Sequence, residues 1–244
     1  MCTVTFIPVK DKIFITSNRD EKHVRKPAIP PAIYSDNDSR IIYPKDADAG
    51  GTWIAMNENG NAAVLLNGGF IKHISQPPYR KSRGVIFLEI ILAITPVRHF
   101  MELDLTNIES FTMIIFNGCL YECRWTGTTK YCKELEKQLP YIWSSATLYD
   151  EAVVKKREQW FAEFLNKVTQ PSSGDIFNFH QFTGDGDEQN DLRMNRSGLL
   201  STVSITGIIM EYQHCTFRYL DLKNNSIHDT EMRLKAALRE ADTF

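Results

Sequence analysis

The order of strand-like and helix-like segments predicts an α+β fold with helices laid over antiparallel sheets. Three observations carry this. Strand segments come in pairs joined by short turns. Helical segments are few and fall between blocks of strands. The 244-residue chain is 43% hydrophobic and 24% charged, an ordinary globular balance that buries a sizeable core without disulfide or metal staples. No linker or internal repeat divides the chain, so residues 1–244 are expected to form a single domain.

Thr3 to Val9 alternates in strand fashion. Asp11-Lys12 is read as a turn and Ile13 to Asn18 as the partner strand, ending in Ser17-Asn18-Arg19-Asp20-Glu21. Residues 25–48, rich in Pro, Asp and Ser, are expected to be a long surface loop. Trp53 to Met56 and Ala62 to Asn67 form a second strand pair around the Asn59-Gly60 turn. Residues 68–82 are loop. Gly84 to Thr95 is expected to be a helix stopped by Pro96. Phe111 to Phe116, Leu120 to Trp125 and Lys130 to Leu135 form a three-strand meander, and Tyr141 to Ala146 one more short strand. Residues 151–168 carry Val153, Trp160, Phe161, Phe164, Leu165 and Val168 at helical spacing, with Asp150 as N-cap. Residues 172–198 hold a short helix and an acidic loop. Leu200 to Thr206 and Cys215 to Leu222 are strands, and Thr230 to Ala241 is expected to be a charged helix.

Lys+Arg total 28 against Asp+Glu 30, a net charge of -2. No basic surplus exists to neutralise a phosphate backbone, so nucleic acid is not an expected partner. The longest apolar run, Val85 to Ile94, is too short to span a bilayer and contains Glu89. No basic segment followed by an apolar stretch opens the chain, so no signal peptide is expected. The five cysteines are odd in number and sparse, which points away from a disulfide scaffold and toward the cytoplasm. Cys119, Cys123 and Cys132 fall on predicted strands without a fourth zinc-type ligand, and Cys215 falls on another. All four are expected to be buried and inert. The six histidines form no His-x-x-x-His pair. No metal and no cofactor are expected.

Cys2 is the first candidate for chemistry, although Met-Cys alone is also an ordinary chain start. Removal of Met1 before a small residue places a thiol and a free α-amine on one residue. An ordinary α-amine titrates at about 7.7–8.0, so it is substantially neutral near pH 7 and serves as a general base for the thiol. Arg19, on the partner strand, is placed to hold a thiolate, and Asp20 to orient the amine. Asp48-Ala49-Gly50-Gly51-Thr52-Trp53 and Leu66-Asn67-Gly68-Gly69 are further compact clusters. In the second, a strand-end amide before glycines can present an N–H to a tetrahedral oxyanion.

Met1-Cys2, Asn18-Arg19-Asp20-Glu21, Ala49-Gly50-Gly51-Thr52-Trp53, Leu66-Asn67 and Ser82-Arg83-Gly84 occur in this order. Together they resemble the NRDE family, also called the transport and Golgi organisation protein 2 family. The resemblance implies an N-terminal nucleophile (Ntn) hydrolase fold, a four-layer αββα sandwich of two antiparallel sheets between helical layers. It also implies a distant similarity to the cholylglycine hydrolases, which cleave amides with a mature N-terminal cysteine. Carried over, Cys2 is the nucleophile, Asp20 holds its amine, Arg19 sits by the thiolate and Asn67 is the oxyanion donor. Ser145 stands where those enzymes have a second oxyanion asparagine, and Asn18, Trp53 and Ser144 are expected around the substrate. The acylases space Arg and Asp as Arg-x-x-Asp, whereas here they are adjacent and so belong to opposite strand faces. A later family arginine has no aligned equivalent, Arg196 being close but out of register. The implied activity is hydrolysis of a non-peptide, linear amide C–N bond in a small molecule. The alternative is a non-catalytic carrier of haem or a hydrophobic lipid ligand on the same fold, as family members are linked to membrane trafficking.

Overall fold

The computed structural model describes residues 3–36 and 39–235. Cys2, the candidate nucleophile, lies outside the described residues. Two antiparallel seven-stranded sheets stack face to face. The first contains β1 (Thr3–Val9), β2 (Lys12–Lys22), β10 (Tyr141–Ser144), β11 (Asn195–Arg196), β12 (Leu200–Glu211), β13 (His214–Asp221) and β14 (Ser226–Arg233), ordered β10-β1-β2-β12-β13-β14 with β11 on β12. The second is a continuous meander of β3 (Ile29–Asp36), β4 (Ser39–Lys45), β5 (Ile54–Asn57), β6 (Ala62–Asn67), β7 (Phe111–Phe116), β8 (Leu120–Trp125) and β9 (Lys130–Leu135).

Alternation along the strands builds the layers. On β1, Val4 and Phe6 join Ile15 of β2 in the core between the sheets, where Phe6 meets Phe116 at 5.9 Å between ring centroids. Ile7 and Phe14 face the other way, against Phe161 of α3 (Glu151–Lys167) and Ile176 and Phe179 of α4 (Ser173–Phe182). The second sheet is covered by α1 (Arg83–Ile91) and α2 (Pro96–Glu102), which contribute Ile86, Phe87, Ile90, Ile91 and Phe100. The result is the αββα order of an Ntn hydrolase.

Four readings of the sequence change. Residues 25–48 are not a loop; most of them form β3 and β4. The prolines of β3 lie on a sheet edge beside a register shift, where a missing N–H leaves no inner partner unsatisfied. The first helix ends at Ile91 rather than Thr95, and Pro96 does not stop it but stands at the first position of α2, where its fixed φ suits a helix start. Residues 230–233 belong to strand β14, held to β13 by the ladder and by the Arg218–Asp229 ion pair at 2.8 Å; residues 236–241 of the expected helix lie outside the described residues. Finally, β2 runs on to Lys22, so Asn18-Arg19-Asp20-Glu21 lies inside a strand paired with β12 rather than at a strand end.

One backbone contact sets where α1 begins. A Cβ on Gly51 would lie 2.4 Å from the carbonyl carbon of Gly84, and one on Gly84 would lie 2.8 Å from the Thr52 oxygen. Both atoms are backbone, so neither clash relaxes through a rotamer. Gly51→Ala is expected to destabilise the protein by about 1–3 kcal/mol, read as a lower urea midpoint with an unchanged m-value.

Candidate active site

The distal half of β2 opens onto a cleft of about 530 Å3 lined by Arg19, Asp20, Trp53, Asn67, Arg83 and Glu109, among others. Strand alternation still holds at its centre. Arg19 points between the sheets, with its guanidinium 4.6 Å from the centroid of the Trp53 ring. It pairs with Asp46 at 2.9 Å and Glu21 at 3.2 Å. Asp20 points to the opposite face. Its two oxygens accept from Tyr149 Oη at 2.8 Å and Thr202 Oγ1 at 2.5 Å. A register shift in β12 between Thr202 and Ser204 lies directly across from this pair, and both side chains line the cleft although they leave the strand in opposite directions.

Asp46, which the sequence reading passed over, anchors the loop before β5. Burial pushes its carboxyl up, but the Ala49 N–H, the Arg25 and Arg19 guanidiniums and the Asp48 N–H together hold it below the usual range. An aspartate four residues ahead of a Gly-Gly pair was the available signal. Arg83 is the first residue of α1, whose N-cap Ser82 accepts from Val85 N. Burial lowers the Arg83 pKa, opposed by Glu109 at 3.1 Å.

Behind Asp20 sits Arg157 of α3, 0% exposed. No carboxylate among the described residues pairs with it. It donates instead to Thr3 Oγ1 at 2.5 Å and to the carbonyls of Asn190 and Asp191 at 2.9 and 2.8 Å, and it lies 3.7 Å from the Tyr149 ring centroid. Arg196 reaches the same ring at 5.5 Å and donates to Leu148 O. Nothing in the local sequence marks Arg157, Tyr149 or Thr202, because their partners are distant in the chain.

The candidate residues separate into groups. Arg19, Asp20, Trp53 and Asn67 meet in the cleft. The Trp53 Nε1 has no partner among the described residues. Asn67 ends β6, and its side chain makes no hydrogen bond to them. Ser145 is not a cleft-lining donor: it is buried, and its hydroxyl donates to Asn67 O at 2.9 Å. Ser144 pairs with Thr3 and faces a separate cavity of about 630 Å3, lined by Phe70, Arg124, Trp143 and Tyr149 among others. That cavity is the larger, but it contains none of Arg19, Asp20 and Asn67. Asn18 is turned away from the substrate space. It is buried, donates to the carbonyls of His180 and Leu192, and accepts from His180 Nδ1 at 2.6 Å.

A family model described as Transport and Golgi organisation 2 matches residues 1–212. The chain belongs to that family. No curated protein matches it significantly. Among solved structures, this family member is similar to penicillin V acylase from Agrobacterium tumefaciens, with a TM-score of 0.61 at 10% identity over 95% of this chain and 86% of that one. It is also similar to the conjugated bile acid hydrolase of Clostridium perfringens, in a variant with alanine for a cysteine at its second residue, with a TM-score of 0.57, 12% identity, and 95% and 92% coverage. The Caenorhabditis elegans ortholog of N-acylethanolamine-hydrolyzing acid amidase gives 0.59, 11% identity, and 85% and 92% coverage. These likenesses establish the Ntn-hydrolase fold for this member of the Transport and Golgi organisation 2 family. No helix among the described residues is long and apolar enough to cross a membrane.

His180 gives a pH signature for the β1–β2–α4 junction. The Asn18 amide is oriented by the two carbonyls it donates to, so its oxygen takes the Nδ1 proton of His180. Nε2 therefore accepts from Thr5 Oγ1 at 2.8 Å, the pattern of a neutral ring. Burial and the Arg157 charge pull its pKa down to about 3. The unfolded chain, with an ordinary histidine near 6.5, binds the extra proton between these values. Stability is thus complete above about pH 6.5 and falls as pH drops toward 3. From this residue alone the unfolding free energy is expected to drop on the order of 2 kcal/mol between pH 7 and 5. Urea titrations of the wild type and His180→Gln should show that slope only in the wild type.

Proposed function

We propose that this protein is an Ntn amidohydrolase that cleaves a linear, non-peptide amide with Cys2 after loss of Met1. The observation that carries the reading is the register at the start of β1, where Thr3 is paired with Asn18 on one side and Ser144 on the other. Cys2 is one peptide unit from Thr3, about 3.8 Å between Cα atoms, and the next positions of β2 are Arg19 and Asp20. In the proposed reaction the Cys2 thiolate attacks the amide carbonyl and its α-amine takes up the thiol proton. The side-chain N–H of Asn67 holds the oxyanion. Collapse of the tetrahedral species breaks the C–N bond, and the α-ammonium gives its proton to the departing amine. Water then attacks the thioester, the amine again accepting the proton, and free acid and thiol are regenerated. Asp20 orients the amine and Arg19 favours the thiolate. Ser145 acts one step removed, fixing the end of β6 that bears Asn67.

Polarity of the cleft separates this from the carrier reading. Arg19, Asp20, Glu21, Arg25, Asp46 and Arg83 all line it, and this charged wall penalises a haem or acyl-chain cargo. A small polar amide is the better fit. We place the reaction in the cytoplasm, where a reducing milieu keeps the thiol available.

The test joins intact-mass measurement to hydrolysis of a panel of small polar amides. Mature protein lacking Met1 is expected, with turnover abolished in Cys2→Ala and reduced on the order of 10²–10³-fold in Asn67→Ala, the usual loss for one oxyanion donor. Retained Met1, or undiminished turnover in Cys2→Ala, overturns the mechanism.

A further inference from the structure

The expectation that the four other cysteines are uniformly buried fails on the outer hairpin of the second sheet. Cys123 and Cys215 are buried, Cys119 is half-buried and Cys132 is exposed. Cys123 of β8 and Cys132 of β9 stand directly opposite each other in the antiparallel register, and their sulfurs are 3.0 Å apart. Facing residues in such a ladder have Cα atoms about 4.5–5.5 Å apart, within the roughly 4.4–6.8 Å that a disulfide spans. The bond length is about 2.05 Å, so closing it takes a movement near 1 Å, within reach of χ1 adjustment.

The two thiols are also differentiated. Cys132 lies on β9, which pairs only with β8 and forms the edge of its sheet. Its thiol pKa is lowered by the hydrogen bond it shares with Cys123, an effect opposed by its own partial burial and by Glu134. Cys123 is pushed up by that same bond, by burial and by the neighbouring sulfur and Glu122. An exposed, more acidic thiol backed by a buried partner is the arrangement in which one sulfur attacks and the other resolves.

We propose that Cys123 and Cys132 form a reversible dithiol–disulfide site that takes small-molecule disulfides as its oxidant. The Cys132 thiolate attacks one sulfur of the small disulfide, forming a mixed disulfide and releasing one small thiolate. Cys123, giving up its proton to solvent, then attacks Cys132 Sγ, forming the protein disulfide and releasing the second thiolate. The small disulfide gains two electrons and the protein loses two. The product crosslinks the edge strand β9 to β8. Of the residues flanking Cys123 on β8, Arg124 lines the 630 Å3 cavity, its guanidinium 4.7 Å from the Phe70 ring centroid, and Glu122 accepts from Trp143 Nε1 at 2.7 Å. The site is remote from the Arg19–Asp20 cleft in sequence and in lining residues, and does not depend on any hydrolase activity.

The experiment treats the full-length protein with oxidised glutathione and follows intact mass and non-reducing peptide maps. The expected product has lost two hydrogens, carries a 123–132 crosslink and returns to the starting mass with dithiothreitol. Cys123→Ser should stop at a glutathione adduct on residue 132, and Cys132→Ser should give no adduct at residue 123 or 132 and no crosslink. If Cys123→Ser does not fold, Cys132→Ser and the wild type still decide. An unchanged wild-type mass, or glutathione carried only on Cys2 or Cys119, overturns the site.

Discussion

A guanidinium buried with no carboxylate partner among the described residues is a costly commitment, and the candidate site is arranged around it. Arg157 has left water completely, a penalty of several kcal/mol for an ion of this size, and it is repaid only by oriented oxygens and a stacked ring. Those oxygens come from Thr3 and from the 190–191 turn, and the ring from Tyr149. Each partner does a second task. Thr3 starts β1, Tyr149 holds Asp20, and Asn190 lies in the loop that leads to β11. Satisfying one cation therefore fixes the entrance of β1, the carboxylate beside it and the connection between the sheet and its helices.

Burial keeps His180 neutral, and the same charge reinforces it. A second cation cannot be accommodated beside Arg157, so the imidazole stays unprotonated and serves as a two-ended bridge from Thr5 to Asn18. Asn18, first residue of the Asn-Arg-Asp-Glu run, is thereby structural. The run divides its work by face. Asn18 and Asp20 look toward the helices and are held by neutral partners, Asn18 by two carbonyls and an imidazole and Asp20 by two hydroxyls, whereas Arg19 looks between the sheets and is held by acids and an indole face. Adjacency of Arg and Asp is then no defect, because the cleft at the sheet end is reached from both faces.

Local pattern was enough where pattern is local. The hairpins around Asn59-Gly60 and Asn117-Gly118, the Asp150 N-cap and the three-strand meander stand where period and turn chemistry put them, and the first hairpin turns at Lys10-Asp11, one residue ahead of the expected Asp11-Lys12. Edge strands escaped. β3 carries two prolines and β14 is nearly all polar, and a strand paired on one side needs neither unbroken N–H donors nor an apolar face. Arg19, Asp20, Trp53 and Asn67 were legible as candidates through their motifs. The residues that hold them were not, because Tyr149 is 129 positions from Asp20, and Thr202 is 182. Ser145 shows the limit of positional carry-over: the residue stands beside the site, yet its proton is already committed to Asn67 O.

That bond is one of several polar ties between the two halves, beside Arg19–Asp46, Trp143–Glu122 and Thr230–Pro31. Asn67 rides on one sheet, while β1 and Ser145, just beyond β10, belong to the other. Beside the bond, Gly68 comes so near that an added Cβ would lie 2.9 Å from Thr147. At this corner the sandwich is pinned like two plates on a dowel, and slippage of one sheet over the other is opposed there. The gap between the start of β1 and the Asn67 amide behaves as a machined clearance, set by a hydroxyl and a glycine that take no part in the chemistry.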